Sequence, residues 1–253
     1  MGQIVRAVEP MSRRGNGFDG QVKERSGCLL PLAVFVVTAV LSALFLLYYL
    51  APNPGSFIEE HPRPTSRTDE VKLWIGGIPF TIPANYLPYA GERNGGVRKE
   101  VALYAALPDF RGYSDADGSI FSGNNAGSPI VYMLIREEAF NLPEAMRLQR
   151  IYLNDVVDGR GRKGPFGLVL YEFRDDSGYR GEDLFVGQTG RGVVVMHCVR
   201  LSQNVPSPSC LRDMVLTRGV ALSYRFKRSQ LASWRDIANG ANRLVASFRV
   251  AGK

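Results

Sequence analysis

Two histidines and three cysteines are all that 253 residues offer as soft metal ligands or neutral-pH proton carriers. With so few, histidine-based general-base chemistry and a multi-ligand zinc site have little to be built from. The chain has no G-x-S-x-G elbow, no glycine-rich phosphate loop, no G-x-G-x-x-G, no H-E-x-x-H and no paired C-x-x-C. None of Asn85, Asn125, Asn154 and Asn204 is followed two positions later by Ser or Thr. The glycosylation signal usual on a eukaryotic ectodomain is therefore missing, which favours a bacterial periplasm. No internal repeat is visible. These absences point away from cofactor and metal enzymes, and no cofactor is expected.

One long hydrophobic run is present. Cys28 to Leu50 reads CLLPLAVFVVTAVLSALFLLYYL and holds no charge. At 1.5 Å per residue it would extend roughly 34 Å, against a hydrocarbon core of roughly 30 Å. It lacks the polar stripe of a buried soluble helix. Tyr48 and Tyr49 stand at its distal end, where amphipathic rings favour an interface. Pro31 falls in the first turn, where its missing N–H costs little. Before the run come Arg6, Arg13, Arg14, Lys23 and Arg25 against Glu9, Asp19 and Glu24, a net of +2. After it the first basic residue is Arg63. This bias predicts a cytoplasmic N-terminus and an external C-terminal domain, in a bacterial inner membrane.

The alternatives fit less well. The apolar region is too long for a signal peptide, and Tyr49-Leu50-Ala51-Pro52 is a poor cleavage site. Gly15-Asn16-Gly17 follows Ser12-Arg13-Arg14 where a twin-arginine signal wants an apolar residue. Cys28 precedes the run and so is not a lipoprotein cysteine. Ala39 and Ala43 allow close helix packing, but such pairs are common and lipid contact suffices to explain them. No feature fixes an oligomeric state.

The boundaries read as a basic cytoplasmic tail 1–27, a transmembrane helix 28–50, a Pro/Ser-rich stalk 51–70 and an α+β domain 71–253. The domain is expected to be a mainly antiparallel sheet with a C-terminal amphipathic helix packed on it. Val71–Ile75 and Ile78–Ile82 alternate around Gly76-Gly77, a hairpin signal. Pro79 makes the second an edge strand. Val101–Leu107 and Ile130–Ile135 are continuous apolar runs that predict central strands covered on both faces, with short buried helices as the alternative. Pro108–Pro129 between them is a long polar loop. Its Asp115-Ala116-Asp117-Gly118-Ser119 departs from a calcium loop, having Gly fourth and Ala126 twelfth, and reads as a polar turn. Asn141-Leu142-Pro143-Glu144 resembles an N-cap followed by a helix to about Leu153, with Ala145, Leu148 and Tyr152 inward. Phe166–Arg174, Tyr179–Gly187, Gly192–Arg200 and Gly219–Lys227 read as further strands. In the last of these, Val220, Leu222, Tyr224 and Phe226 are expected inside, with Ala221, Ser223 and Arg225 on a wetter face. From Ser229, read as its cap, to Phe248 the helical spacing of Leu231, Trp234, Ile237, Ala241, Leu244, Val245 and Phe248 marks a core-docked helix, weakened by Gly240.

Cys198 and Cys210 flank a short loop containing Pro206-Ser207-Pro208. A disulfide there fits an oxidising compartment and would contribute about 3 kcal/mol in the chain-entropy model. His197 beside Cys198 suggests a base and nucleophile, yet neighbours in a strand face opposite ways. His61, near Glu59 and Glu60 in the stalk, has too few convergent partners for a metal. Arg160, Arg162 and Lys163, within a Gly-rich run, are the candidate contact to an anionic surface, although a solvated hairpin tip has the same composition. Asp175, Asp176, Glu182 and Asp183 are the carboxylates from which a glycan or cell-wall hydrolase would have to be made. The net charge of +7 leaves +5 beyond the tail, ordinarily a solvated surface. Interleaved aromatics are missing from the basic run, so nucleic acid is not an expected partner. The functional expectation is a non-enzymatic envelope module anchored in the lipid bilayer and bound to a protein partner, with pairing along Val71–Ile82 as one mode. A carboxylate hydrolase is the alternative.

Overall fold

The computed structural model describes residues 29–50, 61–140 and 142–250. The basic tail, Cys28, the first half of the expected stalk and the expected cap Asn141 lie outside them. The chain forms two units, divided between Glu59 and Glu60.

In the first unit a single helix, α1, runs Leu29–Leu50. Its side chains are described at residues 31–47, all of them exposed. That stretch rises only about 26 Å. Among the described residues no helix is long and apolar enough to cross a membrane.

The second unit is α+β. A small sheet joins β1 (Glu70–Ile75), β2 (Ile78–Pro83) and β3 (Gly96–Arg98) in the order β2-β1-β3. The hairpin expected around Gly76-Gly77 forms, with Val71 opposite Ile82 and Leu73 opposite Phe80. Both glycines take positive φ, the conformation that turn requires. Strand β2 lies at the edge, but Val250 donates its N–H to the Pro79 carbonyl at 3.2 Å and Arg249 bridges Phe80. Arg249 and Val250 thus occupy part of the edge offered to a partner strand.

The large sheet has eight antiparallel strands: β4 (Glu100–Ala106), β5 (Ile130–Glu137), β6 (Arg162–Lys163), β7 (Val169–Glu172), β8 (Glu182–Thr189), β9 (Gly192–Val199), β10 (Ser209–Thr217) and β11 (Val220–Lys227). Their order is β4-β5-β11-β10-β9-β8-β7-β6. Strand β4 is therefore an edge by pairing, although Leu103, Tyr104, Ala105 and Ala106 are all buried. Strand β11 is central. Its supposed wetter face is mostly buried too, with Ala221 and Ser223 at 0% and 7% exposure. Strands β9 and β10 pair only at Cys198–Cys210 and Leu211–His197. The disulfide joins that narrow seam, its Cα atoms 3.9 Å apart.

One face of the large sheet carries the main core. The small sheet and α4 (Trp234–Phe248) pack there, and Leu73, Phe80, Leu103, Met133, Leu222, Trp234 and Val245 belong to one buried cluster. The helix starts later than expected, after a 3-10 turn at Arg228–Ser233. Ser229 does not cap it, but donates its hydroxyl to the Ala126 carbonyl. Gly240 is no weak point either. A Cβ there would sit 2.1 Å from Cε2 of Phe110. Gly240→Ala is therefore expected to lower stability. Helix propensity alone favours alanine by about 1 kcal/mol, but overpacking of this kind costs about 1–3 kcal/mol. The fall in urea midpoint of the full chain in detergent measures the net effect.

The opposite face is covered at its two ends. At one, α2 (Gly118–Ser122) presses Phe121 onto Tyr104 in an edge-to-face contact at 4.8 Å. The long polar loop is thus a structured cover. Two of its three acidic residues are engaged, Asp117 by Arg111 at 3.0 Å and Asp115 by the Ser66 hydroxyl at 2.8 Å. Among the described residues no group of acidic, His or Cys side chains is arranged to hold a metal. At the other end α3 (Glu144–Arg150) and the 3-10 turn Tyr152–Asn154 cover Leu184 and Val195, with Tyr152 against Phe173. Ala145, expected inward, is exposed, and Leu148 is half-buried.

Candidate functional site

Between these two covers the middle of the large sheet is left open. Strands β5, β11 and β10 line it with alternate residues: half-buried Tyr132, Leu134 and Arg136; buried Ser223 and exposed Arg225; half-buried Leu211 and Asp213. A period of two puts them all on the face away from α4. The result is a groove of about 580 Å³. Its banks are Phe121 on α2 and Pro62, Pro64 and Tyr89 from the extended segment and the turn it lies against. Arg63 ties that segment down, donating its N–H to the Pro88 carbonyl at 2.8 Å. Residues 61–69, inside the stretch read as a stalk, therefore form part of the groove's rim.

Much of the floor is apolar and aromatic, and one end is polar. The Arg136 guanidinium donates to the Ser223 hydroxyl at 2.6 Å and to Glu138 at 2.9 Å. Ser223 in turn donates to Asp213. Burial pushes the Tyr104 phenol up to about 12. Its hydroxyl is buried with no protein hydrogen-bond partner among the described residues, an unusual state for a buried polar atom. Burial also raises the Tyr132 phenol, with Arg225 pulling it back.

A second cavity, of about 210 Å³, adjoins the first. Tyr132 and Arg225 line both. Its other walls include Asn124, Ser207, Ser209 and Lys227.

The residues singled out by sequence are dispersed. Arg160 and Arg162 lie far along the sheet, at the β6 end. Arg160 pairs with Asp158 at 3.5 Å and Arg162 with Glu172, so carboxylates already meet part of this charge. Lys163 is exposed beside them. Glu182 and Asp183 are consecutive in β8 and face opposite ways. Glu182 Oε2 lies 2.6 Å from His197 Nδ1, while Asp183 accepts from Arg200 at 2.7 Å and Arg228 at 2.5 Å. Asp176 is held by Arg174 at 3.0 Å in the turn after β7. Asp175 is exposed in the same turn, and the four candidate carboxylates do not converge on one cleft. His197 and Cys198 also separate: the histidine sits near the rings of Tyr152 and Tyr179, and the cysteine is bonded within the main core.

Sequence reading missed β10 and with it a deeply buried ion pair. Arg212, its side chain 5% exposed, meets Glu144 through two hydrogen bonds of 2.8 and 2.7 Å. It also donates to the Tyr224 hydroxyl at 2.9 Å. Burial opposes the Arg212 charge, but the Glu144 hydrogen bonds more than offset it and its pKa is raised.

No protein-family model matches the chain, and no curated protein is significantly similar to it. Among solved structures it resembles the Neisseria meningitidis iron-regulated outer membrane lipoprotein FrpD over 75% of this chain and 96% of that one, at 14% identity and a TM-score of 0.48. It also resembles Smlt3025, an immunity protein of the Stenotrophomonas maltophilia type IV secretion system, over 72% of this chain and 94% of that one. That match has 16% identity and a TM-score of 0.51, a likeness of fold.

Proposed function

We propose that this chain is a membrane-anchored, non-enzymatic binding module of the bacterial envelope, and that it captures a segment of a protein partner in the open groove. The observation that carries the reading is the bare middle of the large sheet. Two helical covers protect its ends, yet Tyr132, Leu134 and Leu211 line a cleft between them. A concave apolar and aromatic surface with a few fixed polar groups is the usual form of a binding site. The immunity protein of similar fold fits an interaction role.

Anchoring by α1 is part of the proposal. Its support is the uncharged run Cys28–Leu50 and the arginines before it. The Cys198–Cys210 disulfide supports an oxidising compartment.

The test uses the full chain in its own cells, with a photocrosslinking residue in place of Leu211. Irradiation is expected to give one discrete protein adduct in the membrane fraction. Leu134→Arg in the same chain should abolish it. The same crosslinker at Lys72, exposed on β1, should give none. Equal adducts at both positions, or no adduct in the groove, would overturn the reading.

A further inference from the structure

We propose that Arg225 and Lys227 form a seat for a carboxylate, supplied by an acidic residue of the extended protein segment that lies in the groove. The proposal rests on the groove reading and names the chemistry its occupant must bring.

Lys227 is the unusual residue. It is only 6% exposed, and lysine is almost never so buried unless paired. Its ammonium carries three donors. The Ser207 carbonyl accepts one at 3.2 Å, and among the described residues no carboxylate meets it. Arg225, two residues back on the same face of β11, is exposed and has no ion-pair partner among the described residues. Both side chains line the 210 Å³ cavity, and none of its lining residues is acidic. Two uncompensated cations sharing one small polar cavity form a place where negative charge is strongly favoured. Burial, and then the nearby Arg225 charge, draw the Lys227 pKa below its usual value. An incoming anion would relieve that penalty.

The cavity walls are held in place. Ser209 opens β10 opposite Lys227, and Ser207 precedes it within the segment closed by the Cys198–Cys210 bond, its hydroxyl donating to the Asn124 carbonyl at 3.2 Å. The seat therefore does not depend on a free loop.

Continuity with the groove decides between a peptide and a bare phosphate. Tyr132 and Arg225 belong to both cavities, so an occupant of the seat extends naturally over Tyr132 toward Leu134. A ligand with apolar side chains on one stretch and a carboxylate at one end uses the whole surface. A phosphate group uses only the end. The net charge of +5 beyond the N-terminal tail gives an acidic partner a favourable approach.

The experiment selects ten-residue peptides displayed on phage against the full chain in detergent micelles. The winner is then synthesised with Glu, Gln or phosphoserine at its acidic position. Enrichment of Asp or Glu beside apolar residues is expected. Glu→Gln in the peptide and Lys227→Met in the protein should each weaken binding by about 10- to 100-fold, and together by no more than either alone. Lys227→Met keeps an apolar stem in a buried site. Should it fail to fold, the exposed Arg225→Gln carries the same test.

Peptides that bind, lose binding to the Leu134→Arg chain and ignore both substitutions would overturn the carboxylate seat and leave the groove standing. Failure to select any peptide, while Leu211 still crosslinks in cells, would also overturn it. Inorganic phosphate or phosphatidylglycerol vesicles binding with full dependence on Lys227, in place of acidic peptides, would reassign the seat and overturn the proposal.

Discussion

Replacing Glu144 with alanine is expected to destabilise the chain by about 3–5 kcal/mol, the usual cost of removing one partner of a buried ion pair. The reason lies in what is left behind. Arg212 is 5% exposed and directed into the core face of β10. Without the carboxylate its guanidinium keeps only the Tyr224 hydroxyl and that ring's face, 5.7 Å away. Neither balances a full charge out of water. Glu144 also accepts the Val195 N–H at 3.1 Å, so α3 would lose its tie to β9 as well. For a domain of this size the melting temperature should fall by roughly 6–20 °C. Urea unfolding followed by tryptophan fluorescence measures the loss, because Trp234 is buried. The double variant Glu144→Leu with Arg212→Met should recover most of the loss, since replacing a buried ion pair with apolar groups is often neutral. A loss below about 1 kcal/mol, typical of an exposed pair, would show the pair to be solvated.

The same pair explains what was hidden in the sequence. The stretch Ser209–Thr217 reads SCLRDMVLT, with Arg212 at a position that alternation assigns to the core. A charged residue there breaks the apolar period, so the strand does not announce itself. Its neutraliser lies 68 residues away, beyond any local pattern. Glu144 was legible only as the acid of an N-cap, a local role. The hairpin of β1 and β2 was legible because two alternating runs meet at Gly-Gly, and nothing distant is needed to form it. The wetter face expected of β11 failed for a different reason. Ala221 and Ser223 are small and look tolerant of water, but their neighbours on β5 and β10 bury them. The groove was invisible for the same reason. Tyr132, Leu134 and Arg225 stand next to core residues in their strands, and only the placing of α2 and α3 decides which of them stays uncovered. Lys227 looked like a charge closing a strand. The fold buries it instead.

Trp234→Ala is expected to cost about 3–5 kcal/mol, the range for truncating a buried aromatic residue in a core. The indole is 1% exposed where α4 begins, and strand β8 is shaped to receive it. At Gly187 a Cβ would fall 2.4 Å from Cη2 of Trp234 and 2.8 Å from Leu168. Glycine is therefore required there for the approach of a large ring, not for a turn. The indole N–H donates to the Phe166 carbonyl at 3.1 Å, at a residue held at φ 56°, and Arg235 lies over the ring at 4.5 Å. Three features then depend on one side chain: the start of α4, the turn before β7 and the glycine in β8. Circular dichroism is the suitable readout, because the substitution removes the buried fluorophore. Trp234→Phe should retain most of the packing and lose mainly the hydrogen bond, costing about 1–3 kcal/mol for the carbonyl and volume left behind. Gly187→Ala should lower stability in the wild-type chain by forcing the ring aside, yet cost markedly less in the Trp234→Ala background, where the space is empty. That non-additivity is expected for two residues in direct contact. Equal costs in both backgrounds would show that the glycine serves the strand alone, and that the ring is held by the helix without it.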